Sequence, residues 1–463
     1  MRLTAADIAR IVGGAHRGDA GAEVSSFSID SRTLQPGACF VALTDTRDGH
    51  DFVADAFGRG ATVALVARPV SVPPGGAEVL VADPLRALGL LGAARREQLV
   101  GATVVGVTGS AGKTATKDLL AAALTSSRRV HASPLSFNNE AGLPLTLLAA
   151  ADDVDVIVAE MGARFKGNIT ELCEIARPQV GIVTQIGLAH AGPLGGPAGI
   201  AAVKGELVEA LPADGVAVLN ADDPATPGLA ARTGARVVTA GRSASPDTGV
   251  RLTGVTLDDE LRPSFRLESS RGSFEVQLEL RGEHQADNAA LAAAAALELG
   301  AAPVEIADGF ASVSGASWRM QVTRTTDELV IVNDAYNANP TAMTAALRAF
   351  GALQVPGRRI AVLGEMLDLG SEAATAHSDV GRQVAASGVH ILVVVGRGLA
   401  PMANAARDAG DETLVVVEVD HVDAAHVEVA ALLQPGDAVL VKASRAVGLE
   451  RVAELLLTAG ASS

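Results

Sequence analysis

Three observations predict an α/β fold in three parts. Short apolar, β-branched runs alternate with helical segments over most of the chain, which implies parallel sheets with right-handed crossovers. One run, Val104-Val105-Gly106-Val107-Thr108, enters the turn Gly109-Ser110-Ala111-Gly112 and leaves it through Lys113-Thr114 into a helical stretch over 115–124. A chain of 463 residues at 48% hydrophobic composition holds about three domains, each with a core of its own. The predicted parts are a small N-terminal α/β domain over 1–84, a central parallel sheet of P-loop type over 85–314, and a Rossmann-like domain over 315–463.

In the first part, Thr4-Ala5-Ala6-Asp7 caps a helix. Residues 39–43 and 62–67 read as strands with a helix over 51–60 between them, and 79–81 as a further short strand. Two prolines and two glycines make 71–76 a loop. A helix over 83–98 leads into the second part, whose strands are expected at 103–108, 154–160, 180–186 and 217–220. Residues 273–280 alternate strictly, and with 261–267 they read as an antiparallel meander on the domain edge, followed by a helix over 284–299. The third part repeats the alternation, with strands at 329–333, 359–363, 391–395, 414–418 and 438–441 and a closing helix over 449–458. No Gly-x-Gly-x-x-Gly follows its first strand; Asp334-Ala335-Tyr336-Asn337-Ala338-Asn339-Pro340 takes that turn, so no dinucleotide is expected there.

Composition excludes several classes. With 37 basic against 53 acidic residues the net charge is −16, which argues against a nucleic-acid surface but not against a nucleotide pocket. Cys39 and Cys173 give neither a disulfide framework nor a metal spacing. Residues 1–13 carry Asp7 and lack a long apolar core, so they do not read as a signal peptide. The longest apolar run, 289–297, is mostly alanine and far short of a membrane span. The expectation is a cytoplasmic monomer without membrane insertion. At 3% aromatic residues, aliphatic and alanine packing must dominate the core.

The candidate chemistry begins at the glycine turn. Glycines let successive backbone N–H groups face phosphate oxygens, and the next helix adds its positive end. Lys113 is placed to reach the outer phosphates and the Thr114 hydroxyl to ligate Mg²⁺. The usual spacing asks for glycine at 107, which is valine, so the working pattern is Thr-Gly-x-x-Gly-Lys-Thr. Glu160 ends an apolar strand, where a carboxylate either holds Mg²⁺ or caps a helix. Taken singly, His190 reads as structural and Lys204 as a solvated helix residue. Asp30-Ser31-Arg32 and Asp48-Gly49-His50-Asp51-Phe52 likewise read singly as capped turns or solvated edges.

Together these segments carry a resemblance. Residues 108–114, Asn138-Asn139-Glu140, Glu160-Met161-Gly162-Ala163, 187–190, Ala202-Val203-Lys204-Gly205-Glu206, 282–288 and Trp318-Arg319-Met320 resemble the motifs of the Mur ligases, ATP-dependent amide-forming enzymes of peptidoglycan synthesis. Within that family the chain is similar to the member that adds the terminal dipeptide. The pointers are 138–146, 334–340, 362–370 with His377, and 441–450. A sibling that adds the third stem-peptide residue is the alternative. Its diamino-acid form uses an Asp-Asn-Pro-Arg segment, which is absent here. A folate polyglutamate synthetase should lack the uridine-binding first part. A non-catalytic nucleotide binder would tend to lose charged site residues that this chain keeps.

The resemblance implies ligation of D-alanyl-D-alanine to UDP-N-acetylmuramoyl-tripeptide through an acyl phosphate. It implies that Thr108, Gly109, Ser110, Ala111, Gly112, Lys113 and Thr114 cradle ATP, with Asn288, Arg319 and Asp334 contacting it from other elements. Thr114, Glu160, His190 and a carbamylated Lys204 would serve Mg²⁺, and Lys113, Lys204, His190 and Glu160 would be catalytic. Ser31, Arg32, Asp48, Gly49 and His50 match the uridine-nucleotide pattern, and Asn138, Asn139 and Glu140 would lie along the substrate crevice.

Overall fold

Strand Thr103–Thr108 is the axis of the molecule. Its residues from Val104 on are buried, as in a strand covered on both faces. It lies between Val156–Glu160 on one side and Val180–Val183 on the other, parallel to both. The chain therefore winds outward in both directions from its carboxyl end, the switch point where open α/β sheets leave a crevice. In the computed structural model, residues 2–187, 191–325 and 328–460 are described. Among them the strands form four sheets, of nine, six, five and two strands.

The nine-stranded sheet continues from Val180–Val183 through parallel strands Val216–Asn220, Arg236–Gly241 and Val250–Leu257 to an antiparallel meander, Pro263–Ser269 and Gly272–Gln277. The meander follows the strict alternation of that segment. Helix His284–Glu298 covers one face. Its alanines 289, 290 and 292–296 are buried, and their small side chains let the helix press closely on the sheet and on helix Lys113–Thr125. The strand expected to reach residue 186 stops at Val183. Beyond it the backbone leaves the sheet to pair with the glycine turn: Ser110 N–H donates to Gln185 O (2.7 Å) and Ser110 Oγ to Gly187 O (2.7 Å).

The N-terminal sheet runs Ala15–Gly18, Ala77–Leu80, Val63–Val66, Ala38–Val41, Ser26–Ser28, parallel except for its first pair. The expected cap forms: Thr4 Oγ1 accepts from Asp7 N–H and Asp7 Oδ2 accepts from Thr4 N–H. Strand Ala15–Gly18 was not legible, because it is exposed along its length and has no apolar face. The core of this sheet is completed by Leu88 and Leu91 of helix Pro84–Gln98 and by Leu145 and Leu148 of helix Gly142–Ala149.

The six-stranded sheet orders Gln321–Arg324, Val330–Asn333, Ala438–Lys442, Arg359–Gly364, Ile391–Val395, Val415–Val419; all pairs are parallel except the first. It interlocks with the central part away from the crevice. Leu261, in the turn before the meander's strand Pro263–Ser269, is buried in the C-terminal core beside Met320, and Arg324 Nη2 donates to Asp259 O (3.1 Å).

A candidate nucleotide and ligation cleft

The glycine turn has the geometry its sequence demands. Gly109 and Gly112 adopt φ +146° and +84°, and a Cβ on either would come within 2.0 Å of Thr184 Oγ1 or 2.2 Å of Asn288 Oδ1. Gly112 is the N-cap of helix Lys113–Thr125 and brings no side chain, so the first-turn amides have no side-chain cap. An uncapped 13-residue helix opening at the floor of a cleft fits a phosphate group. Lys113 Nζ folds back over the turn and donates to Gly109 O at 2.7 Å. Burial lowers its pKa, opposed by the Glu160 carboxylate and reinforced by Arg319.

Three more groups meet this turn. Glu160 is buried at the end of strand Val156–Glu160; its Oε2 accepts from Thr114 Oγ1 (2.9 Å) and its Oε1 from Asn138 Nδ2 (2.8 Å). A carboxylate and a hydroxyl at this separation suit a hard cation such as Mg²⁺. Lys204, in helix Gly196–Glu209, is 2% exposed, so the solvated-face reading fails. Its helix turns that face inward onto the central sheet. Burial, and then the charge of Lys113, bring its pKa down to about 7 against the pull of Glu206 and Glu160. No hydrogen bond or ion pair of its ammonium is found among the described residues. His190 lies outside the described residues.

The C-terminal part reaches in from the opposite wall. Arg319 Nη2 lies 3.3 Å from Thr114 Oγ1 and 3.4 Å from Ser136 Oγ, and its guanidinium stacks 3.9 Å over the Tyr336 ring. Asp334 Oδ1 accepts from Met320 N–H (3.0 Å) and Oδ2 from Lys442 Nζ (2.6 Å). Asn339 caps helix Pro340–Ala352 and approaches Ser110 O (3.4 Å) with its Nδ2. Between the walls lies a cleft of about 1020 Å³, which Asp45 of the N-terminal part also touches.

The expected residues thus divide. Gly109, Ser110, Ala111, Gly112, Lys113, Thr114, Asn138, Asn139, Glu140, Glu160, Lys204, Asn288, Arg319 and Asp334 line the cleft. Thr108 lies beneath it, donating to Met161 O (2.7 Å). Ser31, Arg32, Asp48, Gly49 and His50 do not line it. Arg32 forms a two-point ion pair with Asp30, and Asp48 binds Arg68 (2.9 Å) and His50 Nδ1 (2.6 Å). His50 Nε2 accepts from Ala67 N–H (2.9 Å), which puts the ring proton on Nδ1. Of the residues singled out with the closing motifs, His377 is a brace: Nε2 accepts from Met366 N–H and Nδ1 donates to Ala373 O. Sequence reasoning assigned no role to Lys442, Ser136 or Tyr336. The signal for Lys442 was present, a lysine ending the wholly buried strand Ala438–Lys442.

Residues 107–296 match the Mur ligase middle domain and residues 318–445 the Mur ligase glutamate ligase domain. The chain is 42% identical to the UDP-N-acetylmuramoyl-tripeptide–D-alanyl-D-alanine ligase of Mycobacterium tuberculosis, over 99% of this chain and 98% of that one. Its structure is similar to MurF from Acinetobacter baumannii, with TM-score 0.88 and 30% identity over 99% of both chains. It is similar too to the MurF ligase of Thermotoga maritima in complex with ADP, with TM-score 0.78 and 28% identity over 95% of this chain and 98% of that one. Both family models, and identity sustained from end to end, show that the chain belongs to the Mur ligase family.

Proposed function

We propose that this protein is an ATP-dependent amide-forming ligase that joins D-alanyl-D-alanine to UDP-N-acetylmuramoyl-tripeptide, giving the pentapeptide precursor of peptidoglycan. The observation that carries the reading is the whole-length similarity to the mycobacterial ligase, borne by a chain whose Lys113, Glu160, Lys204 and Arg319 line one cleft. A carboxylate is a poor electrophile and must first be activated. The terminal carboxylate oxygen of the tripeptide attacks the γ-phosphorus of ATP, and ADP leaves. The dipeptide amine then attacks the acyl carbon, and phosphate departs with that carboxylate oxygen.

Lys113 and Arg319 act on the transferring phosphoryl group, neutralising charge from opposite walls of the cleft. The uncapped amides after Gly112 hold the inner phosphates, and Asn288 and Asp334 orient the nucleotide. Thr114, Glu160, a carbamylated Lys204 and His190 would hold Mg²⁺, which supplies further charge neutralisation at the phosphates. Asn138, Asn139 and Glu140 form the substrate wall. Ser31, Arg32, Asp48, Gly49 and His50 take the uridine nucleotide on the N-terminal sheet. Support comes from the charge around Asp30: the Arg32 hydrogen bonds first, and the more distant Arg47 charge least, hold its carboxyl below the usual carboxylate range. The reading places the enzyme in the cytoplasm as a monomer. Among the described residues no helix is long and apolar enough to cross a membrane.

The donor test is direct. With ATP and UDP-N-acetylmuramoyl-tripeptide, phosphate release should require D-alanyl-D-alanine. Free diaminopimelate or lysine, offered with the dipeptide precursor, should leave it at background. The reverse pattern would assign the chain to the sibling that adds the third residue.

A further inference from the structure

We propose that Tyr336 is a positioning residue that aims Arg319 at the phosphate turn by docking on Ser136 of the central part; the inference rests on the ATP reading above. The contacts form one bridge between two walls. Tyr336 Oη donates to Ser136 Oγ at 2.8 Å. The face of the same ring carries the Arg319 guanidinium at 3.9 Å. Arg319 Nη2 then reaches both Ser136 Oγ (3.4 Å) and Thr114 Oγ1 (3.3 Å), the residue beside the phosphate-turn lysine. Ser136 is thus the point at which ring and guanidinium are both registered against the central part.

Each end of the bridge is held from behind. On the central side, the buried Lys117 donates from Nζ to Ser133 O (2.6 Å) and Leu135 O (3.2 Å), which fixes the turn that presents Ser136. Leu135 takes a left-handed φ of +49° in that turn. On the C-terminal side, Tyr336 N–H donates to Trp318 O (3.1 Å) and Met320 N–H to Asp334 Oδ1 (3.0 Å). Trp318 and Met320, flanking Arg319, are both left-handed at φ +59° and +49°. Two bulky residues hold that conformation only when their surroundings over-determine it. Here the surroundings are the 334–336 turn and the Arg445 guanidinium 4.0 Å over the Trp318 ring. A stacked guanidinium has its plane set by the ring, so the ring decides where the N–H fork points. When the C-terminal part leaves Ser136, the stack loses its anchor and Arg319 loses its aim. The bridge therefore links docking of the two parts to completion of the phosphate site.

Binding of adenylyl imidodiphosphate by calorimetry tests the bridge without requiring turnover. Tyr336→Phe keeps the stack and removes the hydroxyl, and Ser136→Ala removes the same bond from the other side together with the longer Arg319 contact. Each should weaken binding at least about fivefold, and the double variant no more than Ser136→Ala alone. Tyr336→Leu removes the stack as well and should weaken binding by about tenfold more. In an Arg319→Ala background, Tyr336→Phe should change affinity by less than about twofold, because the hydroxyl acts through the arginine. KM for the UDP-linked substrate should stay level in the variants that keep Arg319, and circular dichroism melts identify any variant that fails to fold. Multiplicative losses for Tyr336→Phe with Ser136→Ala, or an undiminished Tyr336→Phe loss without Arg319, would overturn the bridge. So would failure of the wild type to bind the analogue, which would also remove the ATP reading. If the coupled losses are seen but D-alanyl-D-alanine supports no turnover, the bridge stands and the ligase reading falls.

Discussion

Lys113→Ala should lower D-alanyl-D-alanine-dependent phosphate release by about a thousandfold or more while the thermal melt moves by only a few degrees. Among the described residues the side chain makes one hydrogen bond, to Gly109 O of its own turn, so its removal breaks no hydrogen bond to a distant element there. Its ammonium is buried at a desolvation cost that lowers its pKa, and alanine lifts that cost. What alanine cannot replace is a positive charge at the mouth of an uncapped helix, where the outer phosphates of ATP would lie. A folded Lys113→Ala protein with near-normal phosphate release would remove this turn from the mechanism.

Lys204→Arg should be almost as damaging, by about a hundredfold or more, although it conserves charge. A bare ammonium at a cation site would repel Mg²⁺ beside Glu160. A carbamate, formed when the neutral amine adds to CO₂ and releases a proton, instead offers two oxygens that share one negative charge. Burial brings the Lys204 pKa from 10.5 down to about 7, so the neutral amine becomes the main form as pH passes that value. The sign for stability follows. Below about 7 both native and unfolded lysine are charged, and the burial penalty is fully present. Between about 7 and 10.5 the unfolded chain binds the extra proton, so unmodified protein gains stability as pH rises through that window. Wild-type enzyme in CO₂-stripped buffer should lose activity and regain it with bicarbonate. At fixed dissolved CO₂ the recovery should be faster at about pH 8 than at about pH 6, because more amine is neutral. Retained activity in Lys204→Arg, with no bicarbonate response in either protein, would make Lys204 a phosphate ligand or a bystander.

Much of the scaffold could be read from the chain because its strands are buried on both faces. Such strands are written as runs rich in β-branched and apolar residues with no polar alternation, as in Thr103–Thr108 and Ile391–Val395, and a glycine turn between a strand and a helix has few other uses. Exposed strands carry no such signature, and Ala15–Gly18 has none. The interlock of the central and C-terminal parts was also hidden, since nothing local marks Leu261 as belonging to a core begun some sixty residues later. The site was legible at strand ends, where charge interrupts an apolar run: Glu160 is such a case, and Lys442 was another whose role escaped notice. Burial of Lys204 was not legible, because a lysine on an alanine-rich helix looks solvated until the sheet it faces is known. Contacts such as Tyr336 to Ser136 join turns 200 residues apart and exist only once both parts are folded and docked.

The central claim is that ATP is spent on activating the tripeptide's own carboxylate within the cleft. It is tested by labelling both oxygens of that carboxylate with ¹⁸O and running the reaction with ATP and D-alanyl-D-alanine. Mass spectrometry of the released phosphate should then find one ¹⁸O per phosphate, carried over when the amine displaces the phosphoryl group from the acyl carbon. Phosphate released without label, while the dipeptide is still joined to the substrate, would contradict the account.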